Sequence, residues 1–185
     1  AFVKLDDASI AALSAALGTA GQLSVMVGAY GQSNAGVSGT DVAALTVPPW
    51  PADVFQFAGA QVQLGSAAVD TSALRRLEPA VDADATPAVV AVSTGYALSA
   101  LLRRDGEANP AVITRTDYYG GQPIETFQKP GVPYSNLLAS FDKMGDFARN
   151  LGSRPLPVVL FVQGENGPND RGDYAAKLTD IIEDT

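Results

Sequence analysis

Apolar and polar positions alternate along this chain in two ways: short, nearly continuous apolar runs, and longer stretches where apolar residues recur every three or four positions. Three runs have strand length: Leu23 to Tyr30 (LSVMVGAY), Ala111 to Tyr118 (AVITRTDY) and Pro157 to Val162 (PVVLFV). Runs with so little alternation belong to strands covered on both faces. The helical period appears in four places. From Asp6 or Asp7 as cap, Ile10, Leu13 and Leu17 recur until Gly18. Thr86 and Pro87 read as cap and first helical residue of a helix from Val89 to Arg104 that closes at Gly106, with Arg103 and Arg104 set favourably against its dipole. Leu137, Phe141, Met144, Ala148 and Leu151 mark a third helix, capped by Ser135 or Asn136 and ended by Gly152. A last one carries Tyr174, Leu178, Ile181 and Ile182 on one face.

Residues 35 to 52 have no period and hold Pro48, Pro49 and Pro51 around Trp50, which reads as a loop. Val54 to Phe57 and Ala60 to Leu64, broken by Gly59, read as a small hairpin, and residues 65 to 85 as irregular chain. Strand, helix, strand, helix, strand, helix is the order of an α/β fold: a three-layer α/β/α sandwich on a mainly parallel sheet, whose ligands bind beyond the carboxyl ends of the strands. Residues 1–20 are expected to form an N-terminal helical lead-in and 21–185 the N-terminal part of an α/β domain.

Composition narrows the chemistry. With 12 Lys+Arg against 20 Asp+Glu the formal net charge is −8, so a phosphate backbone is repelled and nucleic acid is not expected as a partner. No apolar run approaches the ~18 residues of a membrane span, so no membrane insertion is expected. The chain has neither cysteine nor histidine, which removes disulfides, thiolate metal sites, the commonest zinc ligand and the commonest general base together. No metal and no cofactor is expected. Asp82, Asp84 and Glu78 match no calcium loop and read as a solvated acidic turn. Arg171-Gly172-Asp173 spells an adhesion tripeptide, but its place before a helix makes Asp173 a cap. A low charged fraction of 17%, with abundant Ala, Gly and Thr, suits an extracellular or virion-associated protein.

The chemistry should then lie in the three loops after the strands. They read Gly31-Gln32-Ser33-Asn34, Gly120-Gly121-Gln122-Pro123-Ile124-Glu125 and Gln163-Gly164-Glu165-Asn166. A serine on a tight turn leaving a strand exposes its Oγ at the sheet edge, where free backbone N–H groups can hold a developing oxyanion. Taken singly, such a serine is more often a helix cap and such glycines a plain turn. Three in the right order carry more weight.

With these motifs the sequence resembles the sialate O-acetylesterase and plant-type carbohydrate esterase branch of the SGNH hydrolases, whose members carry GQSN, a GG turn and QGE in this order. The resemblance spans about residues 22 to 182 and includes Tyr134-Ser135-Asn136-Leu137 after the double glycine. It implies a flavodoxin-like SGNH hydrolase fold, incomplete at the C-terminus. It also implies a carbohydrate O-acetylesterase, a serine hydrolase with Ser33 as nucleophile. The oxyanion hole would be formed by the Ser33 N–H, that of Gly121 or Gly120, and the Gln163 side-chain amide. Gln32, Asn34, Gly120 and Glu165 are then expected on the substrate side, Glu165 orienting its loop, and the substrate is an acylated carbohydrate.

Two features depart from that family. Asn166-Gly167-Pro168-Asn169-Asp170 stands where the family has an aspartate within two residues of QGE, and the Asp-x-x-His that completes the triad is missing. The expectation is therefore that the native protein continues past Thr185, adds at least one strand and brings that histidine. The alternative is a polysaccharide-binding or structural module of a phage tail or spike that kept the fold and lost the base, with other virion or C-terminal domains as partners. Trp50, Tyr118, Tyr119 and Tyr134 are candidates for a sugar platform.

Overall fold

A computed structural model describes residues 23–32, 35, 52–59, 62–81, 89–106, 110–162 and 171–184. In chain order these form β1 (Leu23–Gly31), β2 (Val54–Phe57), β3 (Val62–Leu64), β4 (Leu77–Pro79), α1 (Val89–Arg104), β5 (Ala111–Tyr118), a 3-10 turn (Ile124–Phe127), α2 (Val132–Asn150), β6 (Arg154–Val162) and α3 (Arg171–Asp184). The chain is an α/β protein with a mostly parallel sheet. Its strands lie in the order β4-β2-β5-β1-β6, with β3 also on β5. Among the described residues only the β2–β4 pair is antiparallel. The N-terminal helical period, the Pro-rich loop around Trp50, the Thr86-Pro87 cap and the Asp82/Asp84 turn lie outside the described residues.

β1 is the central strand, wholly buried, and its alternation sorts the core. Leu23, Val25, Val27 and Ala29 join Val54, Val112, Ala91, Val92 and Tyr96 on the α1 side. Met26 meets Ile113, Phe57 and Met144, and Tyr30 meets Ile124, Phe127, Tyr134 and Leu137, all on the α2 side. On the α1 side Gly95 is a point of close approach, since a Cβ there would come within 2.7 Å of Thr114 Cγ2. α3 adds Ile181, Tyr174 and Leu178 to the cluster around Tyr30.

Several local expectations need correction. β2 and β3 are not a hairpin: Val54 pairs with Val112 and Val62 with Thr116, so both extend along the same side of β5 in parallel. Irregular chain was expected after residue 65, yet Leu77–Pro79 adds an edge strand to β2. α2 starts at Val132, not at Ser135 or Asn136, because Pro133 fits the first turn, where no N–H is needed. Asn136 instead points sideways, accepting from Val69 N–H at 2.8 Å and donating to the Ala67 carbonyl at 2.9 Å. Asp173 lies inside the first turn of α3, bonded to Lys177, and Ile182 is 66% exposed, off the helix's apolar face.

β6 begins three residues earlier than the apolar run suggests, taking in Arg154, Pro155 and Leu156. The Gln32 N–H donates to the Val162 carbonyl at 2.9 Å, so even-numbered residues of β6 turn their backbone groups toward β1 and odd-numbered ones turn theirs outward. Pro155 and Pro157 are odd. Both proline nitrogens thus fall on the outer edge, and the first half of that edge lacks two donors that a further strand would use.

At the amino end of the sheet a charged group fixes α1 to β2. Asp53, 1% exposed, accepts two bonds from the Arg103 guanidinium at 2.5 Å and one from Ser99 at 2.8 Å. These bonds, foremost the one from Arg103, hold its carboxyl below the usual range despite burial. A carboxyl depressed in the folded state stabilises above its unfolded pKa of about 3.9, and that contribution is lost as pH falls through the lower folded value. Asp53→Asn should therefore lower the melting temperature by several degrees at pH 7, and the gap to the unsubstituted protein should close as thermal scans are taken down toward pH 3.

Candidate functional site

The site is built by the ends of three adjacent strands. β1 carries β5 on one side and β6 on the other, all parallel, so the loops after them leave the sheet at one edge. Gly31 is level with Tyr118 of β5 and with Val162 of β6. The last rungs are backbone bonds at this level: Tyr119 N–H to the Gly31 carbonyl and Gln32 N–H to the Val162 carbonyl, each 2.9 Å. Beyond Gln32 the chain turns, and the Ala35 N–H reaches back to the Gln32 carbonyl at 2.9 Å.

Gly31 makes the junction possible. Its φ is 137°, and a Cβ there would stand 2.1 Å from the Val162 carbonyl oxygen, inside any contact distance. The carbonyl that ends β6 occupies the space a side chain would need.

Gln32 is 1% exposed, and its amide donates to the Gln122 carbonyl, tying the turn after β1 to the loop after β5. Its Oε1 is buried with no hydrogen-bond partner among the described residues. In the loop after β5, the N–H groups of Gly120 and Gly121 have no acceptor among the described residues, while Gln122 Nε2 lies 3.5 Å from the Gly120 carbonyl. Two donors on a glycine turn with no acceptor among the described residues, next to a chain leaving a central strand, are suited to a developing negative charge.

Of the residues expected at the site, Gln32, Gly120 and Gly121 are brought together at this edge. Ser33, Asn34, Gln163 and Glu165 lie outside the described residues, each within three positions of a described strand end or turn. Of the aromatic candidates, Tyr134 is 4% exposed and belongs to the core, and Tyr119 packs against the same cluster. Tyr118 is half-buried at the end of β5. A surface hollow of about 190 Å³ lined by Gln128, Lys129, Asp180 and Glu183 includes none of these residues.

Beneath the edge, on the α2 side, lies a charged pair that sequence patterning passed over. Arg115 and Asp117 are each 1% exposed, Nη2 and Oδ1 are 3.4 Å apart, and Arg115 Nε donates to Ser140 Oγ at 2.9 Å. Burial raises the Asp117 carboxyl above its ordinary range, with Arg115 pulling the other way, and burial likewise works against the guanidinium charge. Alternating charges in an otherwise apolar strand, Arg115 and Asp117 in AVITRTDY, were the available signal. Tyr30 on β1 faces the same space, its hydroxyl bound to the Phe127 carbonyl at 2.5 Å and its pKa raised by burial. Among the described residues no group of three acidic, His or Cys side chains could hold a metal, and no helix is long and apolar enough to cross a membrane.

No protein-family model and no curated protein matches the sequence. Among solved structures, a protein from Arabidopsis thaliana determined by X-ray diffraction at 1.6 Å is similar, with a TM-score of 0.55 and 16% identity over 89% of this chain and 68% of that one. At that identity the likeness speaks for a shared α/β fold and nothing more.

The junction yields two expectations. Gly31→Ala should destabilise the protein by about 2 kcal/mol or more in chemical denaturation, because it adds a left-side backbone strain to a clash with backbone that has nowhere to move. Gln32→Leu should cost less, about 1–2 kcal/mol for the lost buried bond. It should also raise hydrogen exchange at residues 119–123 above that of the rest of the sheet.

Proposed function

We propose that this chain is the nucleophile-bearing part of a carbohydrate O-acetylesterase with the three-layer SGNH hydrolase fold. One observation carries the reading: the loops holding GQSN, GGQPIE and QGE follow three strands that are direct neighbours, and Gly31, Tyr118 and Val162 stand level at the edge where those loops begin. Motifs that begin as far apart in sequence as Gly31 and Gln163 thus start from one edge.

In this reading the Ser33 Oγ attacks the acyl carbonyl of an O-acetylated sugar. Charge gathers on the carbonyl oxygen, facing the Ser33 N–H, the N–H of Gly121 or Gly120 and the Gln163 amide. A neutral amide fits that role because it donates without a proton to lose. The tetrahedral species collapses to an acyl-serine as the sugar hydroxyl departs with a proton, and water then releases acetate. Gln32 does no chemistry; it sets the distance between the serine turn and the glycine turn. Glu165 orients its loop, since a carboxylate facing the oxyanion would be repelled.

Both steps need a base, and the 185 residues contain no histidine. In this reading the Asp-x-x-His comes from chain outside these residues. The same absence favours a second reading, a polysaccharide-binding or structural module of a virion tail or spike.

The full-length protein decides between them. Ser33→Ala should abolish acetate release from an O-acetylated polysaccharide while leaving the thermal transition in place, and Gln163→Ala should cost about 10²–10³ in kcat. Full activity in the Ser33 variant would remove the nucleophile assignment. A wild-type protein that binds the polysaccharide and releases no acetate would leave the binding module.

A further inference from the structure

We infer that Tyr118 is the surface on which the sugar ring of the substrate rests, an inference that depends on the esterase reading for its substrate. Tyr118 is the last residue of β5, level with Gly31 two positions before Ser33, and also with Leu64 of β3. Side chains four and six residues earlier on the same strand define its face. Thr114 and Val112 lie against Gly95 of α1, so even positions of β5 look toward α1.

Tyr118 stands four residues beyond Thr114, about 13 Å along the strand, whereas α1 extends only six residues back from Gly95 to Val89, about 9 Å. The ring therefore passes the described start of the helix and is not beneath it. Accordingly it belongs to none of the three apolar clusters, is half-buried, and its phenol has no hydrogen-bond partner among the described residues. Tyr119 and Tyr134, the neighbouring candidates, are taken up by the core on the other face.

The surroundings favour a neutral polyol over an ion. The described residues at the edge include Gly31, Gln32, Leu64, Tyr118, Gly121 and Gln122, with no formal charge among them. Arg115 and Asp117 face the opposite side and are closed off. A half-buried aromatic plane at an uncharged edge matches a pyranose, which has one apolar C–H face.

The test compares two esters of one acyl group in the full-length protein: an O-acetylated oligosaccharide and 4-nitrophenyl acetate. Tyr118→Ala should lower kcat/KM for the oligosaccharide about tenfold more than for the small ester, chiefly by raising KM, and Tyr118→Phe should restore most of that difference because the ring and not the hydroxyl carries the contact. An equal loss on both esters, or none on the oligosaccharide, in a variant with an unchanged melting transition, would overturn the assignment and leave the esterase reading standing. Absence of acetate release by the wild-type protein would instead overturn the esterase reading. Tyr118 would then be judged by calorimetric titration with the same oligosaccharide, where loss of binding in Tyr118→Ala supports the ring contact and unchanged affinity overturns it.

Discussion

Everything at the candidate site depends on one close approach of backbone to backbone. β1 is bonded on both sides, and at its last residue the Val162 carbonyl of β6 comes so near Gly31 that no Cβ can fit. Because Gly31 yields that space, Gln32 can still donate to Val162 while Tyr119 donates to Gly31. The central strand is thereby tied to both neighbours at the point where the chain turns toward Ser33. A longer side chain would push β6 away and, with it, the loop that begins at Gln163.

Two ionic groups mark the two ends of this sheet in different ways. At the amino end Asp53 and Arg103 join strand to helix, with the guanidinium partly in solvent, where such a pair is inexpensive to keep. At the carboxyl end Arg115 and Asp117 are fully enclosed. A buried pair at 3.4 Å recovers little of what desolvation costs. What it does supply is a defined arrangement under the loop after β5, since Arg115 also holds Ser140 of α2. A polar set under a glycine turn restricts where that turn can sit, which suits a site whose donors must already be aimed.

The outer strand explains how an open sheet edge is managed. Among the described residues β6 has no outer neighbour, and Pro155 and Pro157 remove its outward donors over the first half. Only Val159 and Phe161 present outward N–H groups in the second half. Any strand joining there has its register confined to the end nearest the site.

Local pattern was enough to locate β1, β5, α1 and α2 in the sequence, and α1 agreed to the residue, because burial on both strand faces and helical period are written into neighbouring positions. The three loop motifs were legible for the same reason, as each directly follows an apolar run. What local pattern could not carry was pairing. That β2 and β3 line up end to end on β5, that Asn136 reaches across to residues 67–69, and that Gly31 faces Val162 all depend on contacts between distant segments. Nor could it tell Tyr118 from Tyr119: adjacent tyrosines look alike in sequence, and only the direction of β5 sends one into the core and the other past the end of α1. Sequence determined the buried strands and the helices, because their energetics are local. Tertiary structure decided which strand ends meet and which side chains remain free there, because packing of the sheet against its helices sets both.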